Sequence, residues 1–534
     1  MSSAVRPAHA GGPEQIGSPV TPGADVPASR RTAGRLFWPS VLLAVASGLL
    51  ASAAFPPYDL WFLSLPALAV LVLLCREQRP RRAALLGLCH GLALFLPLLA
   101  WMRVIGPDAW IALSVLEASF YAVMCALIAL VTRLPGWPVW VACLWVAQEA
   151  ARALVPFGGF PWGKVAFAQT ASPFTPYAAL GGAALVTFMT ALTAGLVGLL
   201  LLHVRSGRWV AVGAAAAALA VPAASTLIGL PTTGTPVTAA LIQGNVPRPG
   251  LHFLGEREQV LRNHVAATNK LASDVRAARV AVPELVVWPE NASDIDPFRN
   301  DSAYRLIDET IKNLGVPVLV GAVVAGPGPD YVSNTGIVWS PTRGPGARYV
   351  KRHPVPFGEY IPFRAQLSGR IERLEQIPRD FFAADRPGVL RLGPARIGDV
   401  ICFEVAYDGL VRDVVKGGAD VLVVQTNNAT YNRTNQPPQQ LAMSRLRAVE
   451  HGRTVLVAAT SGISAVVAPD GAVLAQTEEL TAETLVAEVP LRRATTVADR
   501  VGSWPEALLA LVGLAAAAAA GAARRVRRAR PSRA

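Results

Sequence analysis

The sequence predicts a polytopic α-helical membrane domain of about eight transmembrane helices that carries an α/β domain outside the bilayer. Three observations predict it. The composition is 52% hydrophobic and only 16% charged, with a positive mean hydropathy, which does not describe a soluble globule. Apolar runs of about 20 residues, the length a helix needs to span a bilayer, fill the first part of the chain and recur near its end. Between them, residues 231–504 alternate short β-branched runs with helical patterns. The formal net charge of +13 does not point to nucleic acid, because the arginines cluster beside apolar runs and no nucleic-acid motif is present.

Residues 1–34 are rich in Pro, Gly, Ala and Ser without apolar periodicity, and read as a disordered cytoplasmic arm. The first apolar run starts too late for a cleavable signal peptide. Spans are expected at 36–55, 60–75, 83–102, 109–132, 139–155, 177–202 and 209–230, with an eighth at 505–523. Arg30, Arg31 and Arg35 precede the first span, and Arg76, Arg79, Arg81 and Arg82 follow the second. Arg133 follows the fourth, and Arg205 with Arg208 the sixth. Every second connection is therefore basic, which places these on the cytoplasmic side. A seven-helix domain at 35–230 then leaves 231–504 outside the cell, and the span at 505–523 returns a basic cytoplasmic tail at 524–534.

His90 and Glu117 are the ionisable residues that stand out within the spans, near span ends, as functional groups or as interhelical hydrogen-bonders. The outer loop 157–164, with Phe157, Phe160 and Trp162 among glycines, suits the headgroup level as an interfacial anchor. Cys75, Cys89, Cys125 and Cys143 lie in apolar runs and read as packing residues.

In the outer segment, strands are expected at 237–242, 285–288, 316–323, 398–402, 421–425, 454–459 and 463–468, and helices at 256–276, 301–314 and 437–451. Three strand-to-loop junctions each present one reactive group. Leu285-Val286-Val287-Trp288-Pro289-Glu290 delivers a carboxylate, Tyr349-Val350-Lys351 an ammonium group, and Val400-Ile401-Cys402-Phe403-Glu404 a thiol. Any one alone is compatible with a solvated charge or a buried small hydrophobe. Three at strand ends, in the order Glu, Lys, Cys, form a specific signal.

These residues resemble the Glu-Lys-Cys triad of the nitrilase superfamily, whose fold is an αββα sandwich. With seven spans before the domain and one after it, residues 36–523 resemble the apolipoprotein N-acyltransferases of bacterial membranes. The motifs that carry the resemblance are Gly159-Phe160-Pro161-Trp162, Trp288-Pro289-Glu290, Pro356-Phe357-Gly358-Glu359-Tyr360-Ile361-Pro362, Cys402-Phe403-Glu404 and the runs 440–443 and 447–453. The resemblance implies a multi-pass enzyme of the bacterial cytoplasmic membrane with its catalytic domain on the extracytoplasmic side. Its acyl donor is a membrane phospholipid and its acceptor the amino terminus of a diacylglyceryl-cysteine lipoprotein. A monomer is expected, with no cofactor, no metal and no nucleic acid partner.

By the same resemblance, Cys402 is the nucleophile, Glu290 the general base and acid, and Lys351 the stabiliser of the tetrahedral oxyanion. Glu359 is a second carboxylate near the triad. Glu404 holds the cysteine loop, unless either glutamate merely pairs with an arginine such as Arg352. Trp288 walls the acyl site or packs the core. Phe357, Tyr360 and Trp162 belong to two stretches, 354–383 and 157–164, that suit an apolar entrance from lipid. Such an entrance answers a physical cost, since each CH₂ exposed to water costs about 0.8 kcal/mol. Phe403 stands where many relatives have Tyr, and 427–431 lacks the family's usual wording. Two other readings remain: a membrane-tethered amidase that releases its product to water, and a non-catalytic lipoprotein-binding protein on the same fold.

Overall fold

A computed structural model describes residues 37–207, 209–246, 257–367, 369 and 378–529. The expected N-terminal arm, the end of the basic tail, Arg208 and part of 354–383 lie outside the described residues.

The membrane domain begins with α1 (Phe37–Ala53), α2 (Ser64–Cys75), α3 (Pro80–Leu98), α4 (Pro107–Val131), α5 (Trp137–Arg152), α6 (Ala178–His203) and α7 (Trp209–Ala224). Proline within the first two positions of α3, α4 and α5 sets their starts, where the missing N–H costs nothing. Each expected apolar run is helical. Among the described residues five helical stretches are long and apolar enough to cross a membrane, and Trp38–Ala53 and Trp61–Cys75 are apolar but shorter. His90 and Glu117 require a correction: both lie mid-helix, on α3 and α4. His90 Nδ1 bonds Ser47 Oγ of α1 at 2.8 Å, and Glu117 pairs with Arg152 of α5 at 2.7 Å. Both therefore tie helices together, and a buried charge in lipid needs such a partner.

The second part follows as β1 (Thr235–Gln243), α8 (Arg257–Arg276), β2 (Leu285–Val287), α9 (Asp301–Leu314), β3 (Val318–Ala325), β4 (Tyr331–Ser340), β5 (Gly344–Val350), α10 (Arg364–Leu367), β6 (Asp380–Phe381), β7 (Val389–Leu392) and β8 (Ala395–Ile401). It ends with α11 (Asp408–Lys416), β9 (Val421–Thr426), α12 (Gln436–His451), β10 (Val455–Ala459), β11 (Ala465–Val467), β12 (Val473–Gln476), β13 (Glu483–Leu491), α13 (Val497–Val501) and α14 (Trp504–Ala529). The described strands form two mixed sheets, ordered β13-β1-β2-β3-β4-β5 with β6 beside β4, and β12-β11-β10-β9-β8-β7. β1 and β13 run antiparallel from Thr235↔Leu491 to Gln243↔Glu483, so the chain enters and leaves this domain on neighbouring strands.

Strand alternation builds two kinds of core. Val237, Ala239, Leu241, Leu285, Val287, Ile397, Ile401, Val421 and Val423 point between the sheets. Ala240, Ile242, Val286 and Val318 point the other way, against Leu261 and Val265 of α8 and Ile307 and Ile311 of α9. Both faces of the central strands are buried, which is why they read as continuous apolar runs. The opposite outer layer, α11 and α12, is shared with the membrane domain. Val400, Val424, Leu441 and Met443 belong to one apolar cluster with Trp101, Trp162 and Phe167. The expected αββα sandwich is present, with one of its helical layers as the floor on which it rests.

Candidate active site

Three strand ends converge at this floor. Glu290 follows β2, Lys351 follows β5 and Cys402 follows β8. Lys351 Nζ lies 3.1 Å from Glu290 Oε1 and 3.0 Å from Glu359 Oε1. Asn334 Nδ2, on β4, donates to the same two oxygens at 2.6 and 3.0 Å. The remaining oxygens are also held: Asn427 N donates to Glu290 Oε2 at 2.8 Å and Val355 N to Glu359 Oε2 at 2.7 Å. Burial alone would lower the Lys351 pKa, but the Glu290 and Glu359 carboxylates hold it well above its ordinary value, so it is a fixed cation.

Cys402 sits in the left-handed region at φ +57, a conformation that costs a non-glycine residue about 1–2 kcal/mol. It starts a short turn, Cys402–Ala406, that breaks away from β8 and turns the thiol off the strand axis. Sγ receives Thr426 Oγ1 at 3.3 Å and Gln440 Nε2 at 3.7 Å. Thr426 touches the sulfur while the N–H of the next residue, Asn427, touches Glu290, so one peptide step joins thiol to carboxylate. Burial pushes the Cys402 thiol up to about 12; Glu290 adds to that shift and Lys351 opposes it. The resting side chain is therefore a thiol at neutral pH. Alkylation of Cys402 by iodoacetamide is expected to rise with pH without levelling off through about pH 10, since the thiolate is the reactive form. A plateau near neutrality would contradict this.

Glu404 is a clamp between two junctions. Its carboxylate accepts from Ile401 N (2.7 Å), Arg352 N (2.7 Å), His353 N (3.0 Å) and the Tyr349 hydroxyl (2.9 Å). It thereby pins the Lys351 loop to the cysteine turn. The Arg352 guanidinium pairs instead with Asp413 at 3.0 Å. Phe403 stacks on Phe160 and Trp162 of the membrane domain, at centroid distances of 5.6 and 6.0 Å. Trp162 Nε1 also donates to Gln439 Oε1 of α12 at 2.7 Å. Phe357 is part-exposed, with its ring 6.0 Å from that of Phe157, which in turn meets Phe363 at 5.8 Å. Tyr360 is part-buried beside it. The Trp288 ring is fully buried under α8, where Nε1 donates to Thr268 at 2.9 Å, so it packs the core. Only its backbone turns toward the site, accepting from Gln425 Nε2 at 2.5 Å.

Asn334, Thr426 and Gln440 escaped the sequence reading as site residues. Asn334 lies in β4, whose Ser-Asn-Thr centre hides its alternation. Thr426 closes an apolar run that reads as ordinary strand. A second omission is the cluster joining the domains. Arg447 donates to Val405 O and Ala406 O at 2.9 Å and pairs with Asp408 and Glu450 at 2.5 Å, while Lys164 meets Asp408 at 2.6 Å. Among the described residues no group of three His, Cys, Asp or Glu side chains stands ready for a metal ion.

The description "Apolipoprotein N-acyltransferase N-terminal domain" matches residues 47–196, and "Carbon-nitrogen hydrolase" matches 238–499. An apolipoprotein N-acyltransferase of Mycolicibacterium smegmatis is 39% identical over 498 residues, 88% of this chain and 83% of that one. The chain belongs to the apolipoprotein N-acyltransferase family. The member from Azotobacter vinelandii is 31% identical over 504 residues, 89% of this chain and 94% of its own. An amidase from Nesterenkonia sp. is a more distant likeness, at 21% identity and a TM-score of 0.36, covering 50% of this chain and 94% of that one. As an apolipoprotein N-acyltransferase family member the chain is an enzyme, an acyltransferase that joins membrane helices to a carbon-nitrogen hydrolase fold.

Proposed function

We propose that this enzyme transfers a fatty acyl chain from a membrane phospholipid, through a thioester on Cys402, to the amino terminus of a diacylglyceryl-cysteine lipoprotein. The observation that carries the reading is the buried Lys351 ammonium group held between Glu290 and Glu359 beside the Cys402 thiol.

An amine attacks a phospholipid ester slowly, and two steps through a thioester replace one difficult step. Glu290 takes the Cys402 proton as sulfur attacks the ester carbonyl. Lys351 meets the negative charge that develops on the carbonyl oxygen. The C–O bond breaks, and Glu290 returns its proton to the departing lysophospholipid oxygen. The lipoprotein ammonium group first releases one proton to water. The free amine then attacks the thioester carbonyl and gives a second proton to Glu290. Collapse forms the amide and expels sulfur, which recovers that proton from Glu290. Glu359 keeps Lys351 charged and in place throughout, and Glu404 fixes the spacing between the lysine and cysteine loops.

The same reading puts residues 231–504 on the extracytoplasmic side of the bacterial cytoplasmic membrane, since the arginine-rich loops belong to the opposite end of the bundle. The part-exposed Phe157, Phe357 and Phe363 would form an apolar sill by which acyl chains leave the lipid, with Tyr360 beside them and Trp162 behind. The enzyme would act as a monomer, since one chain supplies all three triad residues. Mass spectrometry of the purified protein after incubation with phospholipid alone is expected to find one acyl group on Cys402. Release of free fatty acid with no acceptor amine, at the rate of lipid consumption, would favour a hydrolase instead.

A further inference from the structure

Asp399 is a buried carboxyl group that the proposed reaction does not use. It precedes Cys402 by three residues on β8, and strand alternation turns it between the sheets with Ile397 and Ile401. It is fully buried, and neither of its side-chain oxygens has a hydrogen-bonding partner among the described residues. Gly336 of β4 stands opposite, where a Cβ would lie 2.1 Å from Asp399 Oδ2 and 2.6 Å from Gln425 Oε1. The two oxygens therefore crowd the same point, and Gln425 Oε1 is also buried without a partner. Turning the Gln425 amide over does not relieve this. Its Nε2 donates to Trp288 O at 2.5 Å, and the opposite orientation would set two acceptors against each other there. The neighbouring donors are committed elsewhere: the Tyr349 hydroxyl to Glu404, and Lys351 to Glu290 and Glu359.

We propose that Asp399 is a neutral carboxylic acid that donates its proton to Gln425 Oε1, and that this bond positions the catalytic groups above it. A proton on Asp399 turns two crowded acceptors into a donor and an acceptor. Burial raises the Asp399 pKa well above the usual carboxylate range. The nearby Glu404 and Glu290 carboxylates push the same way, and the Val400 N–H opposes them only in part. The bond reaches two junctions of the site through Gln425. Gln425 holds Trp288 O, two residues before Glu290. The next residue, Thr426, touches the Cys402 sulfur, and Asn427 N meets Glu290 Oε2. Ionisation of Asp399 would break the bond and bring a further negative charge near Glu290, raising its affinity for a proton. The effect on rate rests on the reading of Glu290 as base; the presence of the proton does not.

Infrared difference spectroscopy of the full chain in nanodiscs tests the proton directly. At neutral pH the wild type is expected to show a carboxylic acid C=O band that Asp399→Asn lacks. Its absence would mean an ionised Asp399 and would overturn the proposal, whatever acyl transfer does. The positioning role is read from kinetics. Asp399→Leu fills the space without a donor and should lower kcat about tenfold with KM little changed. Asp399→Asn supplies the same donor through Nδ2 and should recover most of that loss; equal losses in the two variants would overturn the role. If Asp399→Leu does not fold, thermal unfolding of Asp399→Asn decides. Only the wild type must keep a proton that its unfolded chain releases near pH 4, so the melting temperature of Asp399→Asn relative to wild type should rise with pH above that value. A difference that does not change with pH would overturn the proposal. An infrared band in a protein that forms no acyl adduct would leave Asp399 as assigned and remove only the thioester reading.

Discussion

Cys402→Ala is expected to abolish both the acyl adduct and transfer to lipoprotein, measured with purified protein in phospholipid nanodiscs. The loss should be complete within detection, because on the proposed path no neighbouring group replaces this sulfur: Thr426 and Gln440 donate to it, and Lys351 would face the charge its attack creates. Cys402→Ser keeps a hydroxyl of similar shape but forms an ester, from which alkoxide departs poorly, so any adduct should persist rather than turn over. Lys351→Met should retain the thiol yet lose about 10²–10³ in rate, the usual cost of removing an oxyanion donor. Transfer by Cys402→Ala at any measurable fraction of the wild-type rate would end the thioester proposal.

Arg447→Met is expected to destabilise the protein by about 3–5 kcal/mol, the cost of stripping a buried charge from its partners. Asp408 and Glu450 would lose their guanidinium, and the carbonyls of Val405 and Ala406 would lose their donors. Those carbonyls end the turn that starts at Cys402, so acyl transfer should fall together with the melting temperature. Burial would raise the Asp408 pKa, but Lys164 and Arg447 hold its carboxyl well below the usual carboxylate range. Its contribution is therefore present above the unfolded value near 4 and is lost as pH falls through the lower folded value. Thermal unfolding followed by intrinsic fluorescence across acid pH checks both points. An unchanged melting temperature for Arg447→Met would show that the cluster does not hold the domains together.

The parts of this site that stand at the ends of apolar runs were readable from the chain. Glu290 and Cys402 follow β-branched runs buried on both faces, which announce a strand by composition, whereas Lys351 follows β5, whose Gly344-Pro345-Gly346-Ala347-Arg348 stretch is mostly exposed and carries no such signal. Asn334 was not readable, because β4 was missed: its Ser-Asn-Thr interior is polar for the sake of the lysine and carboxylates it meets. β13 was missed for a related reason, since Glu483, Thr484 and Glu488 interrupt its apolar run and nearly all of its residues are only part-buried. Gln148, Glu149 and Arg152 make the end of α5 polar for a span, and the structure accounts for it: Arg152 meets Glu117, Gln148 and the carbonyls of Trp162 and Gly163. No local pattern signals a partner more than ten residues away. The kink in α6 belongs to the same class: Gly182, at φ +66, leaves room for Glu450, and a Cβ there would stand 2.7 Å from its carboxylate.

The antiparallel seam between the first and last strands has a mechanical consequence. Both tethers to the bilayer emerge side by side, while α11, α12 and the Lys164–Asp408–Arg447 cluster hold the other outer layer to the membrane helices, so the domain is fixed at two places rather than hinged at one. A nick in either tether would leave the piece still laced to its neighbour along nine paired residues. Such an arrangement also lets the sandwich be spliced between α7 and α14 as a single insertion, with the two ends of the insert already side by side.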